Sequence, residues 1–206
     1  MRRAAIAGAI LAGGRSRRMG SDKGLLPFGD RRLIEAALDA IRPLFPEILI
    51  IANDPPAYAG LGVRVVSDRV PGRGPLGGVH AALCSSRSPH VFCAACDMPF
   101  LNPAVIRHLA ALASGYDAVV PRSDAGCEPL HAIYGRSCLP QVERMVRDDR
   151  LRLDALFSAV RVRWVDADEV RPLDPSLRSF VNVNTPEELE AARRLLGRGG
   201  AGACAS

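Results

Sequence analysis

The segment after the first apolar run combines glycines and cations in a way that suits phosphate binding. Residues 11–23 read LAGGRSRRMGSDK. Gly13 and Gly14 would let backbone N–H groups approach phosphate oxygens closely, while Arg17 and Lys23 would supply compensating positive charge. The spacing matches neither the dinucleotide fingerprint nor the phosphate-binding loop of P-loop NTPases. A tight turn with solvated arginines is the alternative, but the concentration of glycines and cations favours a triphosphate cradle.

Lys23 is the single lysine among 27 lysine and arginine residues. Arginine elsewhere in the chain is explicable by the base composition of the coding DNA, which leaves the lysine unexplained. Lysine is a compact point charge on a flexible stem, whereas arginine is a wide planar fork. We therefore expect Lys23 to contact phosphate, where the two side chains are not interchangeable.

Polar side chains follow three further apolar runs. Asn53 and Asp68 come after the second and third runs, and Asp97 follows the fourth. Singly, each is typical of a turn. Together with Leu11 and Ala12 they would line one edge of a sheet, a place suited to the base and ribose of a nucleotide.

Asp97 could also bind a metal ion, because it directly follows a buried strand and would lie beside the expected triphosphate. Mg²⁺ usually takes one or two carboxylates and shares the phosphate oxygens of its substrate. The alternative is a turn-initiating aspartate before Pro99. We favour the metal role and expect Mg²⁺ as the cofactor.

The elements that position these residues are predicted by apolar runs that alternate with helical patterns. This alternation is typical of a parallel sheet covered on both faces. We predict a single three-layer α/β/α domain over residues 1–196, with a Rossmann-like, mostly parallel sheet, and a flexible tail over residues 197–206. The predicted strands are residues 4–11, 47–52, 63–66, 91–96, 118–121, 130–134, 162–165 and 181–183. The predicted helices are residues 33–41, 78–85, 103–112, 139–146, 153–160 and one entered through a capping box at Thr185.

The second half of the chain is less regular than the first. The strands over residues 118–121 and 130–134 flank a loop, which predicts a hairpin or another antiparallel excursion in the sheet. Residues 72–78 form a second glycine-rich segment, which is either an anion-binding loop or a mobile one. His131 in an apolar run is by default a packed strand histidine, and Asn184 a helix-entry residue.

Composition limits the class of protein. Hydrophobic residues make up 48% of the chain, charged residues 24%, and the net charge of +5 is spread without a basic block. This is ordinary globular composition without a nucleic-acid arm, and no apolar run is long enough to span a membrane. Cys93 and Cys96 lie three apart in one strand and should face opposite sides of the sheet, so a zinc site there is disfavoured. We expect reduced cysteines and a cytoplasmic protein.

Five separated motifs together resemble those of the molybdenum cofactor guanylyltransferases, within the wider group of nucleotidyltransferases. They cover nearly the whole chain in the same order. The motifs are residues 11–23, GPLGG at 74–78, CDMP at 96–99, EPLH at 128–131 and NVNTPEEL at 182–189.

The resemblance implies Mg²⁺-dependent transfer of GMP from GTP to molybdenum-molybdopterin, with release of pyrophosphate. It implies that Leu11, Ala12 and Gly13, with neighbouring Gly14, contact GTP. Lys23 would bind its phosphates, Asn53 and Asp68 the nucleoside, and Asp97 the metal, with Arg17 as a further catalytic cation. Contacts with the pterin or the nucleotide are expected from Gly77, His131, Asn182 and Asn184. Proteins of cofactor biosynthesis or recipient apoenzymes are further expected partners.

Residues 11–14 read Leu-Ala-Gly-Gly, whereas the cytidylyl-transferring relatives carry Leu-Ala-Ala-Gly at these positions. A residue larger than glycine would crowd a purine base, so the resemblance favours guanine. The nearest alternative is transfer from CTP to molybdopterin, or from another NTP to a sugar phosphate. A non-catalytic module that escorts the molybdenum cofactor is the alternative of another class. Retention of both Lys23 and Asp97 disfavours it. A nicotinamide-dependent oxidoreductase is disfavoured by the missing fingerprint.

Overall fold

The computed structural model describes residues 5–12 and 22–200, with only the backbone for residues 197–200. The strands are β1 (Ile6–Leu11), β2 (Pro27–Phe28), β3 (Arg31–Arg32), β4 (Ile48–Ile51), β5 (Arg64–Val66), β6 (His90–Ala95), β7 (Ala118–Ser123), β8 (Gly126–Cys127), β9 (His131–Gly135) and β10 (Val162–Val165). The α-helices are α1 (Leu33–Ile41), α2 (Gly74–Ser85), α3 (Pro103–Leu112), α4 (Leu139–Arg147), α5 (Ala167–Val170) and α6 (Pro186–Gly200).

Eight of the strands form one sheet with the order β10-β7-β9-β6-β1-β4-β5, and β8 pairs with β7. β1 pairs in parallel with β4 on one side and β6 on the other, so the carboxyl ends of these central strands meet at one edge. β9 runs antiparallel to both β6 and β7, and β8 is antiparallel to β7. The predicted α/β class, with a mostly parallel sheet and an antiparallel excursion in the second half, is confirmed.

Two apolar layers cover the sheet. One contains the buried faces of α1 and α3, whose apolar residues recur at helical spacing, for example at Ile34, Leu38 and Ile41. The other contains the buried faces of α2 and α4. Cys96 lies in the first layer and Cys93 in the second, which confirms that these two cysteines face opposite sides of the sheet. Helices on both faces give the predicted three layers.

Helix α2 begins at Gly74, four residues before its predicted start at Gly78. Pro75 in the first turn fits a helix start, because that position needs no backbone donor. Gly78 lies where the helix approaches β1 closely: a Cβ atom there would come within 2.6 Å of Leu11 Cδ2. The second glycine-rich segment is therefore partly helical, and its later glycines permit helix packing.

Two other predicted elements differ from the structure. Residues 153–160, predicted as an α-helix, contain a 3₁₀ helix at Leu153–Ser158. Residues 181–183, predicted as a strand, form no strand: a 3₁₀ turn at Arg178–Phe180 precedes them, and Val183 makes a single backbone hydrogen bond to Asp97. The valines there resemble a strand, but no strand in the described part of the chain pairs with them.

Helix α6 enters through the predicted capping box and continues to Gly200, past the start predicted for the tail. Residues 201–206 lie outside the described part, so the predicted flexibility of the tail stays a prediction. Across the described residues, no helix combines the length and apolarity required to cross a membrane.

Candidate functional site

A cavity of about 320 Å³ opens at the carboxyl ends of β1, β4 and β6. Its volume is in the range of small-molecule sites. In an open α/β sheet this edge, where neighbouring strands are followed by connections to opposite faces, is the expected place for a ligand. The lining residues come from strand ends, the first turn of α2 and the segment before α6: Leu11, Ala12, Asp22, Lys23, Ile51, Asp68, Gly74, Pro75, Gly78, Ala95, Cys96, Asp97, Leu130, Asn182 and Asn184.

Lys23, Asp97 and Asn184 form a hydrogen-bonded cluster in this cavity. Lys23 Nζ donates to Asp97 Oδ2 at 3.0 Å and to Asn184 Oδ1 at 2.7 Å. The side chains of Lys23 and Asp97 are only 18% and 15% exposed. The partial burial of this charged pair strengthens its electrostatic field, because water screens it less than a surface pair.

A short 3₁₀ helix at Lys23–Leu25 positions Lys23. Its N-terminus is capped by Asp22, whose Oδ1 accepts a hydrogen bond from Gly24 N at 3.1 Å. Gly24 is packed tightly: a Cβ atom there would lie 3.1 Å from the hydroxyl of the buried Tyr58 and 3.3 Å from Cys96 Sγ. The turn that carries the lysine is therefore fixed by a cap on one side and by packing on the other.

The N-terminus of α6 positions Asn184. Glu188 Oε2 accepts hydrogen bonds from the backbone N–H groups of Asn184 and Thr185, and Thr185 Oγ1 accepts one from Glu188 N. These reciprocal bonds satisfy donors at the helix start, as the predicted capping box requires. In addition, Val183 N donates to Asp97 O at 2.9 Å, which ties this segment to the end of β6. Residues from opposite ends of the chain are thus held together.

One carboxylate oxygen of Asp97 has no protein partner among the described residues. Oδ2 accepts from Lys23, whereas Oδ1 is buried and has no hydrogen-bond partner among the described residues. A buried carboxylate oxygen without a partner carries a desolvation cost that a ligand can remove. Carboxylate oxygen is also a preferred ligand of Mg²⁺. The donor set at Asp97 therefore fits a divalent cation.

Asp68 lines the cavity, while Asn53 stands beside it without lining the cavity. Burial raises the pKa of Asp68, and a hydrogen bond from the Asn53 side chain acts in the opposite direction. Asn53 itself is exposed. The structure thus brings this predicted pair together after β4 and β5, with Asp68 as the member that faces the cavity.

The other predicted site residues divide into three groups. Leu11, Ala12 and Asn182 line the cavity, whereas Gly13, Gly14 and Arg17 lie outside the described residues. Gly77 and His131 do not line it.

Gly77 and His131 are packed within the fold, and the contacts with pterin or nucleotide predicted for them stay predictions. A Cβ atom on Gly77 would lie 2.9 Å from Arg73 Cβ. The fully buried His131 ring lies edge-on between Phe92 and Phe180. Burial lowers the pKa of His131 to about 4, so the imidazole is neutral at pH 7. These surroundings agree with the default interpretation of His131 as a packed histidine in a strand.

Eight of the cavity residues were not predicted from the sequence: Asp22, Ile51, Gly74, Pro75, Gly78, Ala95, Cys96 and Leu130. Asp22 was part of the first motif but had no assigned role, although an aspartate just before a turn is a usual cap. Gly78 lines the cavity in place of Gly77. Which of the two glycines faces the cavity depends on the rotation of α2 about its axis. The sequence placed the start of that helix at Gly78, whereas it begins at Gly74.

Comparison with known proteins relates this architecture to a family of nucleotidyltransferases. Residues 8–162 match the family model described as the MobA-like NTP transferase domain. A probable molybdenum cofactor guanylyltransferase of Pelotomaculum thermopropionicum is 39% identical over 90% of this chain and 91% of its own. A molybdenum cofactor guanylyltransferase of Desulfosudis oleivorans is 38% identical over 95% of this chain and 98% of its own.

Solved structures share the same architecture. Molybdopterin-guanine dinucleotide biosynthesis protein A from Archaeoglobus fulgidus superposes with a TM-score of 0.82 at 29% identity, over 93% of this chain and 99% of its own. The 4-diphosphocytidyl-2C-methyl-D-erythritol synthase from Anaerococcus prevotii superposes with a TM-score of 0.70, over 94% of this chain and 96% of its own. At 14% identity the second likeness concerns the fold alone.

Proposed function

We propose, because the chain belongs to the MobA-like NTP transferase family, that it transfers GMP from GTP to molybdenum-molybdopterin and releases pyrophosphate. Its similarity to guanylyltransferases over nine-tenths of the chain supports this substrate pair. The phosphate of the pterin would attack the α-phosphorus of GTP, forming a new P–O bond as the bond to pyrophosphate breaks.

The observation that carries the proposal is the cluster of Lys23, Asp97 and Asn184 at the edge of the sheet. Two phosphate-bearing substrates repel each other, so a catalyst of this reaction must neutralise charge and hold the nucleophile in line with the leaving group. The Lys23 ammonium group is already fixed by two oxygen partners. It can therefore stabilise developing negative charge on the phosphates with little reorganisation.

Asp97 is the residue that would hold Mg²⁺, through the oxygen that has no partner among the described residues. When bound, Mg²⁺ would supply positive charge to the triphosphate and help to orient it. Asn184 supplies a further oxygen near the same position and keeps Lys23 beside Asp97. The predicted cradle over residues 13–21 would add backbone donors and the Arg17 guanidinium.

The reaction requires no enzyme nucleophile or general base, because the attacking phosphate is already ionised near neutral pH. The buried titratable groups of the cavity agree with this requirement. Burial raises the pKa of the Cys96 thiol, which keeps it protonated and unreactive. Positioning and charge stabilisation are therefore the tasks of the site.

The proposal is tested by nucleotide selectivity with purified protein, Mg²⁺, molybdenum-molybdopterin and GTP, CTP or ATP labelled at the α-phosphate. We expect label to enter the pterin dinucleotide from GTP, with kcat/KM on the order of tenfold or more lower for CTP and ATP, a difference of about 1.4 kcal/mol. Equal use of all three nucleotides would contradict the guanine assignment, and preference for CTP would favour the cytidylyl alternative.

Measuring transfer activity in the unaltered protein and in the variant Asp97→Asn distinguishes an enzyme from a non-catalytic escort module. We expect the variant to fold and to lose turnover, whereas Asp39→Asn on the exposed face of α1 should be as active as the unaltered protein. Cofactor binding by the unaltered protein without any transfer from any nucleotide would support the escort alternative. A cytoplasmic location is part of the proposal and is supported by free thiols at every cysteine of the described residues. Delivery of the product to recipient apoenzymes is a further part of the proposal.

A further inference from the structure

Three side chains with metal-binding atoms meet between α2 and α4, outside the cavity. His80 and Cys84 are one turn apart on α2, and Glu143 faces them from α4. His80 Nε2 lies 3.5 Å from Cys84 Sγ and 3.8 Å from Glu143 Oε1. All three ligand atoms are within 4.8 Å of one another.

We propose that His80, Cys84 and Glu143 form a binding site for a zinc-like divalent metal ion. With Zn–N near 2.0–2.1 Å and Zn–S near 2.3 Å, tetrahedral coordination places nitrogen and sulfur about 3.6 Å apart and nitrogen and oxygen about 3.4 Å apart. The nitrogen-to-sulfur distance of 3.5 Å already meets this requirement. The carboxylate oxygen lies 3.8 Å from the nitrogen and within 4.8 Å of the sulfur, so it must move closer to both, and the fourth position is left for water or another ligand.

The chemistry of the three ligands selects against Mg²⁺. A thiolate and an imidazole suit zinc and its neighbours, whereas Mg²⁺ prefers oxygen ligands in an octahedron. The thiolate of Cys84 and the carboxylate of Glu143 together balance the charge of a divalent ion. The proposed site and the Asp97 site would therefore take different metals.

Burial distinguishes the roles of the three ligands. The His80 side chain is 10% exposed, which restricts the orientation of its ring, while the Glu143 side chain is 56% exposed and free to adjust. Burial raises the pKa of the Cys84 thiol, so metal binding would release a proton. Positive charge on Arg69 and Arg136 acts in the opposite direction and favours the thiolate.

Metal binding here would connect two helices and lie close to the cavity. The first turn of α2, which includes Gly74 and Pro75, lines the cavity. His80 is also near enough to Asp68 to act on its pKa electrostatically, against the larger effect of burial, which raises it. A metal ion on His80 would thus bridge α2 to α4 close to the part of the cavity that Asp68 lines.

Titration with Co²⁺ tests the proposal directly. The experiment uses the full-length, reduced protein carrying Cys204→Ser, which removes a cysteine outside the described residues. The buffer contains a saturating concentration of Mg²⁺, which occupies the proposed site at Asp97. We expect one Co²⁺ per chain with a sulfur-to-cobalt charge-transfer band, displaced by Zn²⁺, and a higher melting temperature with Zn²⁺.

Three variants identify the ligands. Cys84→Ser should remove the charge-transfer band, and Glu143→Gln, at an exposed position that preserves the fold, should weaken Zn²⁺ binding at least about tenfold in competition with a chromophoric chelator. Cys127→Ser, which removes another partly buried thiol, should retain both the band and the affinity. Absence of the band in the starting protein, or its persistence in Cys84→Ser, would overturn the site and leave a thiol–imidazole hydrogen bond.

Discussion

Lys23 makes two hydrogen bonds through a single nitrogen atom. Its Nζ contacts Asp97 Oδ2 and Asn184 Oδ1 at the same time, at distances of 3.0 and 2.7 Å. A guanidinium group spreads its donors over a plane and needs more room. The presence of one lysine in an arginine-rich chain thus has a geometric explanation.

Lys23→Arg should impair nucleotidyl transfer even though the charge is kept. Because a guanidinium group would place several nitrogen atoms where Lys23 has one, and so displace Asp97, Asn184 or the phosphates, we expect kcat/KM to fall by at least about tenfold, equivalent to ~1.4 kcal/mol of transition-state stabilisation. Lys23→Ala should lose on the order of a hundredfold or more, as expected when a positioned donor is removed. Steady-state kinetics with GTP and molybdenum-molybdopterin measure both effects.

Arg31→Lys is the matched control for the reverse exchange. Arg31 pairs with Asp30 and Asp39 on the exposed surface, where such ion pairs contribute little. This variant should retain full activity. If Lys23→Arg were equally active, the lysine would be a compositional coincidence.

Sequence reasoning identified individual site residues better than it identified their contacts. Asp68 and Asp97 could be predicted because they are ionisable residues that follow strands, and Lys23 because it is the single lysine and ends a glycine-rich segment. The hydrogen bond between Lys23 and Asn184 joins residues 161 positions apart. No local pattern specifies that contact, because it depends on the order of the strands in the sheet and on where the N-terminus of α6 lies.

At the scale of elements, helix α2 packs closely against β1 beside the site. Gly78 allows it, since a Cβ atom there would meet Leu11 Cδ2 at 2.6 Å and Cγ at 2.9 Å. Both residues line the cavity. The glycine is thus needed for the packing of the helix and for the shape of the site.

Gly78→Ala should destabilise the protein and weaken nucleotide binding. The new methyl group would force Leu11 toward the cavity, and such overpacking typically costs about 1–3 kcal/mol. Gly60→Ala is the control, because a Cβ atom there would meet nothing within 4 Å. Its free energy of unfolding should change by no more than about 0.5 kcal/mol.

Urea unfolding and GTP titration measure the two effects of Gly78→Ala separately. Equal stability and equal GTP affinity in Gly78→Ala and Gly60→Ala would show that α2 can move away from β1 without consequence.

Element boundaries show where local patterns stop being informative. The period of apolar residues correctly predicted α1, because its buried face repeats over the whole helix. It could not predict the first turn of α2, where glycine and proline are read as loop signals. Residues 181–183 have the valines of a strand, yet pairing requires a neighbouring strand that only the tertiary fold can supply. The same limit applies to the cluster of His80, Cys84 and Glu143. Two of its members lie on α2, but the third comes from α4, and only the tertiary fold brings the two helices together.

At the scale of the whole molecule, β9 links the parallel part of the sheet to β7 and β10. It runs antiparallel between β6 and β7, and its side chains are buried on both faces. His131 begins this strand and is fully buried in an aromatic environment. An ionisable group in such a place makes the stability of the fold depend on pH.

The direction of this dependence follows from the two pKa values of His131. The pKa is about 4 in the folded protein and 6.5 for an ordinary histidine, so in between the unfolded chain binds a proton that the folded chain does not. Stability from this group is complete above pH 6.5 and is lost as the pH falls toward 4. Between pH 7 and pH 5 we expect a loss of ~2 kcal/mol.

His131→Leu should remove this part of the pH dependence, whatever its effect on stability at pH 7, because leucine does not titrate. Urea unfolding of both proteins at pH 7 and pH 5 gives four free energies, and their double difference isolates the histidine from all other groups. A double difference near zero would mean that His131 takes up a proton in the folded state, which contradicts its neutral, packed role. A value near 2 kcal/mol would assign to His131 a specific share of the acid sensitivity of the fold.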